Sequence, residues 1–124
     1  MIIADSDVLI HFLRGRDPLA SKVEQHLKIT HLATTTVNVF ELMSGARTSA
    51  ESKKIINLLS AMDVLSFTED AAMAAAELRR NLEIQGAGIG MADYLIAGVC
   101  LASSLPLLTA NRKHFERVPG LVLI

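Results

Sequence analysis

A single-domain α/β fold is predicted, a three-layer α/β/α sandwich around a mainly parallel central sheet, and three observations predict it. The 124-residue chain suits one domain and leaves no room for a second of ordinary size. Hydrophobic residues make up 51% and charged residues 20%, a composition that folds around its own core without a staple. Short β-branched runs alternate with longer segments of helical periodicity, and that alternation implies parallel strands joined by right-handed helical crossovers.

The elements follow in order. Met1 to Ala4 is a short apolar run that reads as a buried strand ending at Asp5. Asp5, Ser6 or Asp7 then caps a helix carrying Val8, Leu9, Phe12 and Leu13, which Gly15 stops. Asp17-Pro18 opens a second helix, with proline at its first position, through Val23 and Leu27. Ile29 to Thr34 reads as a strand, and Thr35 or Thr36 caps the helix after it, which ends near Gly45. A further helix covers about Ala50 to Ala61, followed by a short strand from Asp63 to Phe67. Thr68 opens a long alanine-rich helix to about Glu83, where intrinsic propensity is high. Gly86, Gly88 and Gly90 form a flexible lead-in to a helix from Met91 to about Ser103. A strand at Leu107 to Thr109, a polar turn and a terminal strand at Leu121 to Ile124 complete the chain.

Several classes drop out on composition. One cysteine, Cys100, forms no internal bridge, and no basic leader with an apolar run and cleavage site opens the chain, so a reducing cytoplasm is expected. No apolar run approaches the roughly 20 residues that span a bilayer, and no membrane association is expected. A net charge of −1 does not by itself favour nucleic acid.

In doubly wound sheets, polar groups at the carboxyl ends of the strands converge at the topological switch point. Asp5 closes the first strand, Glu41 lies in the helix after the second, Asp93 begins the helix after the glycine loop, and Asn111 follows the strand ending at Thr109. Asp93 precedes Tyr94-Leu95-Ile96-Ala97, and Glu41 sits between Phe40 and Leu42-Met43; a carboxylate in such company is costly to bury unless a cation meets it. Gathered carboxylates raise one another's pKa unless a divalent ion neutralises them. Oxygen ligands without clustered cysteine or histidine select a hard ion, Mg²⁺ or Mn²⁺. Such a site activates water and stabilises phosphate charge during in-line displacement. Asn111 completes the pocket as a neutral amide, with Thr109 and Ser6 as supporting hydroxyls. Singly, each has a plainer reading: Asp5 as a helix cap, Asp7 as a first-turn acid, Glu41 as a solvated helix residue, Asp93 as a helix-start acid, Asn111 as a turn residue.

Taken together, the segments Ile2-Ile3-Ala4-Asp5-Ser6-Asp7-Val8-Leu9-Ile10, Thr36-Val37-Asn38-Val39-Phe40-Glu41, Ala92-Asp93-Tyr94-Leu95-Ile96-Ala97 and Leu105-Pro106-Leu107-Leu108-Thr109-Ala110-Asn111-Arg112-Lys113-His114-Phe115 give a chain that resembles the PIN-domain ribonucleases, and most closely the VapC-type toxins of toxin–antitoxin pairs. The resemblance covers essentially the whole chain. It implies a PIN-like fold and a Mg²⁺- or Mn²⁺-dependent endoribonuclease, with Asp5, Glu41 and Asp93 at the metal-binding acids and Asn111 at the fourth catalytic position. It also implies a cognate antitoxin that inserts a segment near the acidic cleft, an RNA substrate and a homodimer. Many relatives carry aspartate where Asn111 stands, and Asn or Ser where Asp7 stands.

Arg112 and Lys113, beside Asn111, are the first candidates to grip an RNA backbone, and Arg14 and Arg16 the next. Aromatic residues at 4% are too few for a base-stacking platform. His11, His26, His31 and His114 show no ligand spacing, so no general base is expected among them. Cys100 reads as a packing residue, and the glycine loop lacks the spacing of a nucleotide-binding turn. A phosphoacceptor receiver domain would need an acid ending the third strand and a basic residue before the late proline; neither is present near Phe67 or at Leu105. The remaining alternatives are an aspartate-nucleophile phosphohydrolase, for which no lysine and acid pair is evident, and a PIN-like binding or regulatory module with little catalysis.

Overall fold

The structure is a computed structural model and describes residues 1–124. Four short strands, β1 (Ile2–Ala4), β2 (Leu32–Thr35), β3 (Asp63–Leu65) and β4 (Leu107–Leu108), form one sheet in the order β3-β2-β1-β4. Every pairing is parallel. The helices are α1 (Ser6–Leu13), α2 (Leu19–Ile29), α3 (Thr36–Gly45), α4 (Ser49–Ser60), α5 (Glu69–Ile84), α6 (Met91–Ser103) and α7 (Arg112–Phe115). The chain winds from β1 outward to β3, then returns to lay β4 on the other side of β1. The switch point therefore lies at the carboxyl end of β1, where Asp5 stands.

Successive strand residues face opposite sides of the sheet, and each side has its own core. Ile3, Ala33 and Leu107 pack on one side with Leu78, Leu82, Ile96 and Phe115. Ala4, Leu32 and Leu108 pack on the other with Val8, Leu9, Val23 and Ile55. Each fully buried Leu, Ile or Phe contributes about 1.5–3 kcal/mol, so both layers hold the sheet and with it the strand ends. Thr35 and Thr68 cap their helices as the sequence suggests, accepting from the backbone N–H of Asn38 and Ala71, and Thr48 does the same for α4 by accepting from Glu51 N.

Three predicted elements differ. Helix α2 runs through Ile29, so β2 starts at Leu32 instead of Ile29; the helical ladder of Leu19–Ile29 claims backbone groups that the strand would have used. No terminal strand forms over Leu121–Ile124, which makes only a bridge from Leu123 to Leu107, because β4 offers two residues to pair with. The polar turn after β4 closes into α7.

Candidate active site

Asp5 follows β1 directly, with its own N–H donating to Leu108 O, so the sheet fixes its backbone on the β4 side. Its side chain is 6% exposed and fully engaged. Oδ1 accepts from Ser6 N at 2.8 Å and Asn38 Nδ2 at 3.1 Å, and Oδ2 accepts from Thr109 Oγ1 at 2.8 Å. Asn38 also donates to Ser6 Oγ at 2.9 Å, and Ser6 Oγ donates to Glu41 Oε1 at 2.9 Å. Asn38 is completely buried, and its Oδ1 accepts from Thr35 Oγ1 at 2.7 Å within the capping box that starts α3. The cap of α3 thus aims both Asn38 and Glu41 at the end of β1.

On the β4 side, Thr109 Oγ1 accepts from Asn111 N at 3.0 Å. Asn111 Nδ2 lies 2.9 Å from His114 Nδ1, and the same ring nitrogen lies 3.0 Å from Asp93 Oδ2. A continuous hydrogen-bonded path therefore runs Glu41–Ser6–Asn38–Asp5–Thr109–Asn111–His114–Asp93. It joins all four predicted site residues, drawn from sequence positions 5 to 111. Two members carry little signal in the sequence. Asn38 is marked only by its place three residues after a capping threonine; His114 is marked only by lying one helical turn beyond Asn111. Asp7 is not a member: its Oδ1 accepts from Val8 N at 2.7 Å and Ala110 N at 3.4 Å, pinning α1 to the segment after β4.

No three His, Cys, Asp or Glu side chains converge closely enough to enclose an ion by themselves. Burial, then the charge of Asp7 and to a lesser degree that of Glu41, push the Asp5 carboxyl up to about 7, against the lowering effect of the Thr109 and Ser6 hydrogen bonds. No lysine or arginine forms an ion pair with Asp5, Asp7, Glu41 or Asp93; the one such contact is His114 with Asp93. The cleft is thus acidic, partly dry and without a built-in cation. A hydrated Mg²⁺ needs only one or two direct carboxylates and keeps its remaining waters, so the donor chemistry fits such an ion although three acids do not close on one point. Asp5, Glu41 and Asp93 are the side chains that would hold it.

Beyond the cleft, Arg112 donates to Ile124 O at 3.0 Å and lies 3.9 Å from Glu116. Its guanidinium is thus engaged by Ile124 O and Glu116, while half of the side chain stays exposed. The glycine loop is fastened instead of free: Ile89 N donates to Tyr94 Oη at 3.1 Å, and Arg117 Nη1 to Gly88 O at 2.9 Å. Beside Glu41, a groove of about 300 Å³ opens between α1, α3 and α4, lined by Ile10, Leu13, Leu42 and Ile55 together with the charged Arg14, Glu51 and Lys54. Cys100 is buried, and burial pushes its thiol up to about 12. No helix is long and apolar enough to cross a membrane.

Comparison with known proteins decides the family. Residues 2–121 match the PIN domain. The chain belongs to the PIN-domain family. This PIN domain is 37% identical over 115 residues to Ribonuclease VapC10 of Mycobacterium tuberculosis, covering 93% of this chain and 86% of that protein. It is 29% identical over 121 residues to the tRNA(fMet)-specific endonuclease VapC of Shigella flexneri, covering 94% and 91% of the two. Among solved structures it superposes on VapBC2 from Rickettsia felis, bound to a DNA fragment from their promoter, with TM-score 0.88 and 26% identity over 100% of this chain and 98% of that one.

Proposed function

We propose that this PIN domain is a Mg²⁺- or Mn²⁺-dependent endoribonuclease that acts as the toxin of a toxin–antitoxin pair, hydrolysing RNA phosphodiester bonds at the acidic cleft. The carrying observation is the hydrogen-bonded path that unites Asp5, Glu41, Asp93 and Asn111 at the carboxyl ends of the strands with no basic side chain paired to Asp5 or Glu41. The VapC names of the relatives support the reaction class.

Asp5 is the central ligand, held rigid by three donors. Glu41, steadied by Ser6, and Asp93 supply the outer carboxylates. Asn111 orients water or a phosphate oxygen without adding repulsion. When bound, the ion supplies an activated water and neutralises developing phosphate charge. Arg14 and Lys54, which line the groove beside Glu41, would supply positive charge to RNA phosphates. The groove beside Glu41 receives a segment of the cognate antitoxin, a reading that the VapBC complexes among the structural neighbours support. A reducing cytoplasm, where RNA and antitoxin are made, is the compartment this reading requires.

The test is incubation of antitoxin-free protein with defined tRNAs and mRNAs, with Mn²⁺ or with chelator, beside Asp93→Asn. Cleavage should require the ion and fall by at least about a hundredfold in the variant, in line with the loss of a group stabilising developing charge. Cleavage that persists in chelator would remove the metal mechanism.

A further inference from the structure

His114 belongs to none of the chemistry assigned above, yet its ring touches two of the four site residues. Asn111 stands at the start of α7 and His114 one turn on, with His114 N donating to Asn111 O. Asp93 comes from the first turn of α6, some twenty residues earlier in the chain. A single nitrogen, His114 Nδ1, lies within hydrogen-bond distance of both Asp93 Oδ2 and the Asn111 amide. An ionised carboxylate only accepts, so that contact requires the tautomer with the proton on Nδ1. Asn111 then meets the same N–H with its oxygen, the amide's two ends being interchangeable in shape, and turns its NH₂ away from the ring. No other side chain donates to Asp93.

We propose that His114 is a positioning residue: its Nδ1–H holds one oxygen of Asp93 and sets the Asn111 amide, leaving the other Asp93 oxygen for the divalent cation or a water on it. The proposal rests on the metal-dependent reading above. Without His114, Asp93 would have no side-chain partner to select one rotamer, and the ordering would have to occur when the ion binds. Outer partners of this kind, when removed, cost about 10–100-fold in metal affinity.

The experiment titrates Mn²⁺ calorimetrically into the full chain and into His114→Phe and His114→Asn. Phenylalanine keeps a ring without the donor; asparagine places an N–H close to where Nδ1 stood. His114→Phe should bind Mn²⁺ at least about tenfold more weakly, and His114→Asn should recover to within about threefold. Because the His114 side chain is 42% exposed, both variants should melt in chelator at the native temperature. RNA cleavage by His114→Phe should lose kcat with KM little changed. Native-like or tighter Mn²⁺ binding by His114→Phe would overturn the proposal. So would an asparagine variant as weak as the phenylalanine one, or a fall in melting temperature that accounts for the loss. If the native chain itself binds no Mn²⁺, the metal reading falls and takes this proposal with it; binding by the native chain and His114→Phe alike would sink only the role of His114.

Discussion

Asp5 is a residue used against its own preference. Three donors surround it, yet burial and the charges of Asp7 and Glu41 outweigh them, so its carboxyl titrates at about 7 instead of 3.8. The folded chain therefore holds this proton more tightly than the unfolded chain does. Below pH 3.8 both states carry it and Asp5 is neutral to stability; as pH rises from there to 7 the unfolded state ionises first, and stability is lost across that window. The loss is of the order of a few kcal/mol. The amide introduced by Asp5→Asn would keep the acceptor for Ser6 and Asn38, and its NH₂ could donate to Thr109 Oγ1. In chelator-treated protein, Asp5→Asn should thus raise the melting temperature at pH 8, and the gain should shrink toward pH 5 while RNA cleavage is abolished. A variant no more stable than the native chain at pH 8 would show that the three hydrogen bonds outweigh the charge penalty.

Among the elements, the position of Asp93 depends on how closely α6 lies against α5. Gly98 makes that approach possible: an added Cβ would stand 2.5 Å from Ala71 O and 2.8 Å from Ala75 Cβ. Alanine would gain up to about 1 kcal/mol in helix propensity. Against that, a backbone carbonyl cannot move aside without parting the helices, and overpacking of this kind costs about 1–3 kcal/mol. Gly98→Ala should therefore lower the melting temperature by several degrees and weaken cleavage, by shifting Asp93 relative to Asp5. Thermal unfolding checks the first effect and RNA turnover the second; an unchanged melting temperature would mean that the helices part freely. The alanine run of α5, predicted helical on its propensity, matters as much for the smallness of its side chains.

Across the molecule as a unit, the sheet brings three strand ends to one cleft and leaves another surface unpartnered. Phe67, Met91 and Leu95, with Arg79, Arg80 and Glu83 beside them, line a groove of about 520 Å³ on the α5–α6 side, and Met91 is 54% exposed. We propose that a second copy of the chain covers this surface, as the resemblance to homodimeric relatives implies. Light scattering of the antitoxin-free protein should give a dimer, and Met91→Glu a monomer that retains the fold. A native monomer at micromolar concentration would refute the dimer.

Local patterning along the chain is enough for the fold class and singles out four polar residues that the fold joins through hydrogen bonds. Asp5, Glu41 and Asn111 each sit close to a strand end or in the helix that follows one, and Asp93 opens the apolar helix after the glycine loop; those signals are carried by neighbouring residues. The same patterning misplaces the terminal strand, because pairing needs a partner of adequate length and β4 has only two residues. It also gives no sign that Ile124 O takes a hydrogen bond from the Arg112 guanidinium. Which groups meet is settled only when the layers assemble. Asn38 reaches Asp5 across 33 positions and His114 reaches Asp93 across 21, separations that no periodicity encodes. Burial and hydrogen bonding between remote segments exist only once the sheet has closed, whereas caps and apolar periodicity act within a turn or two of chain.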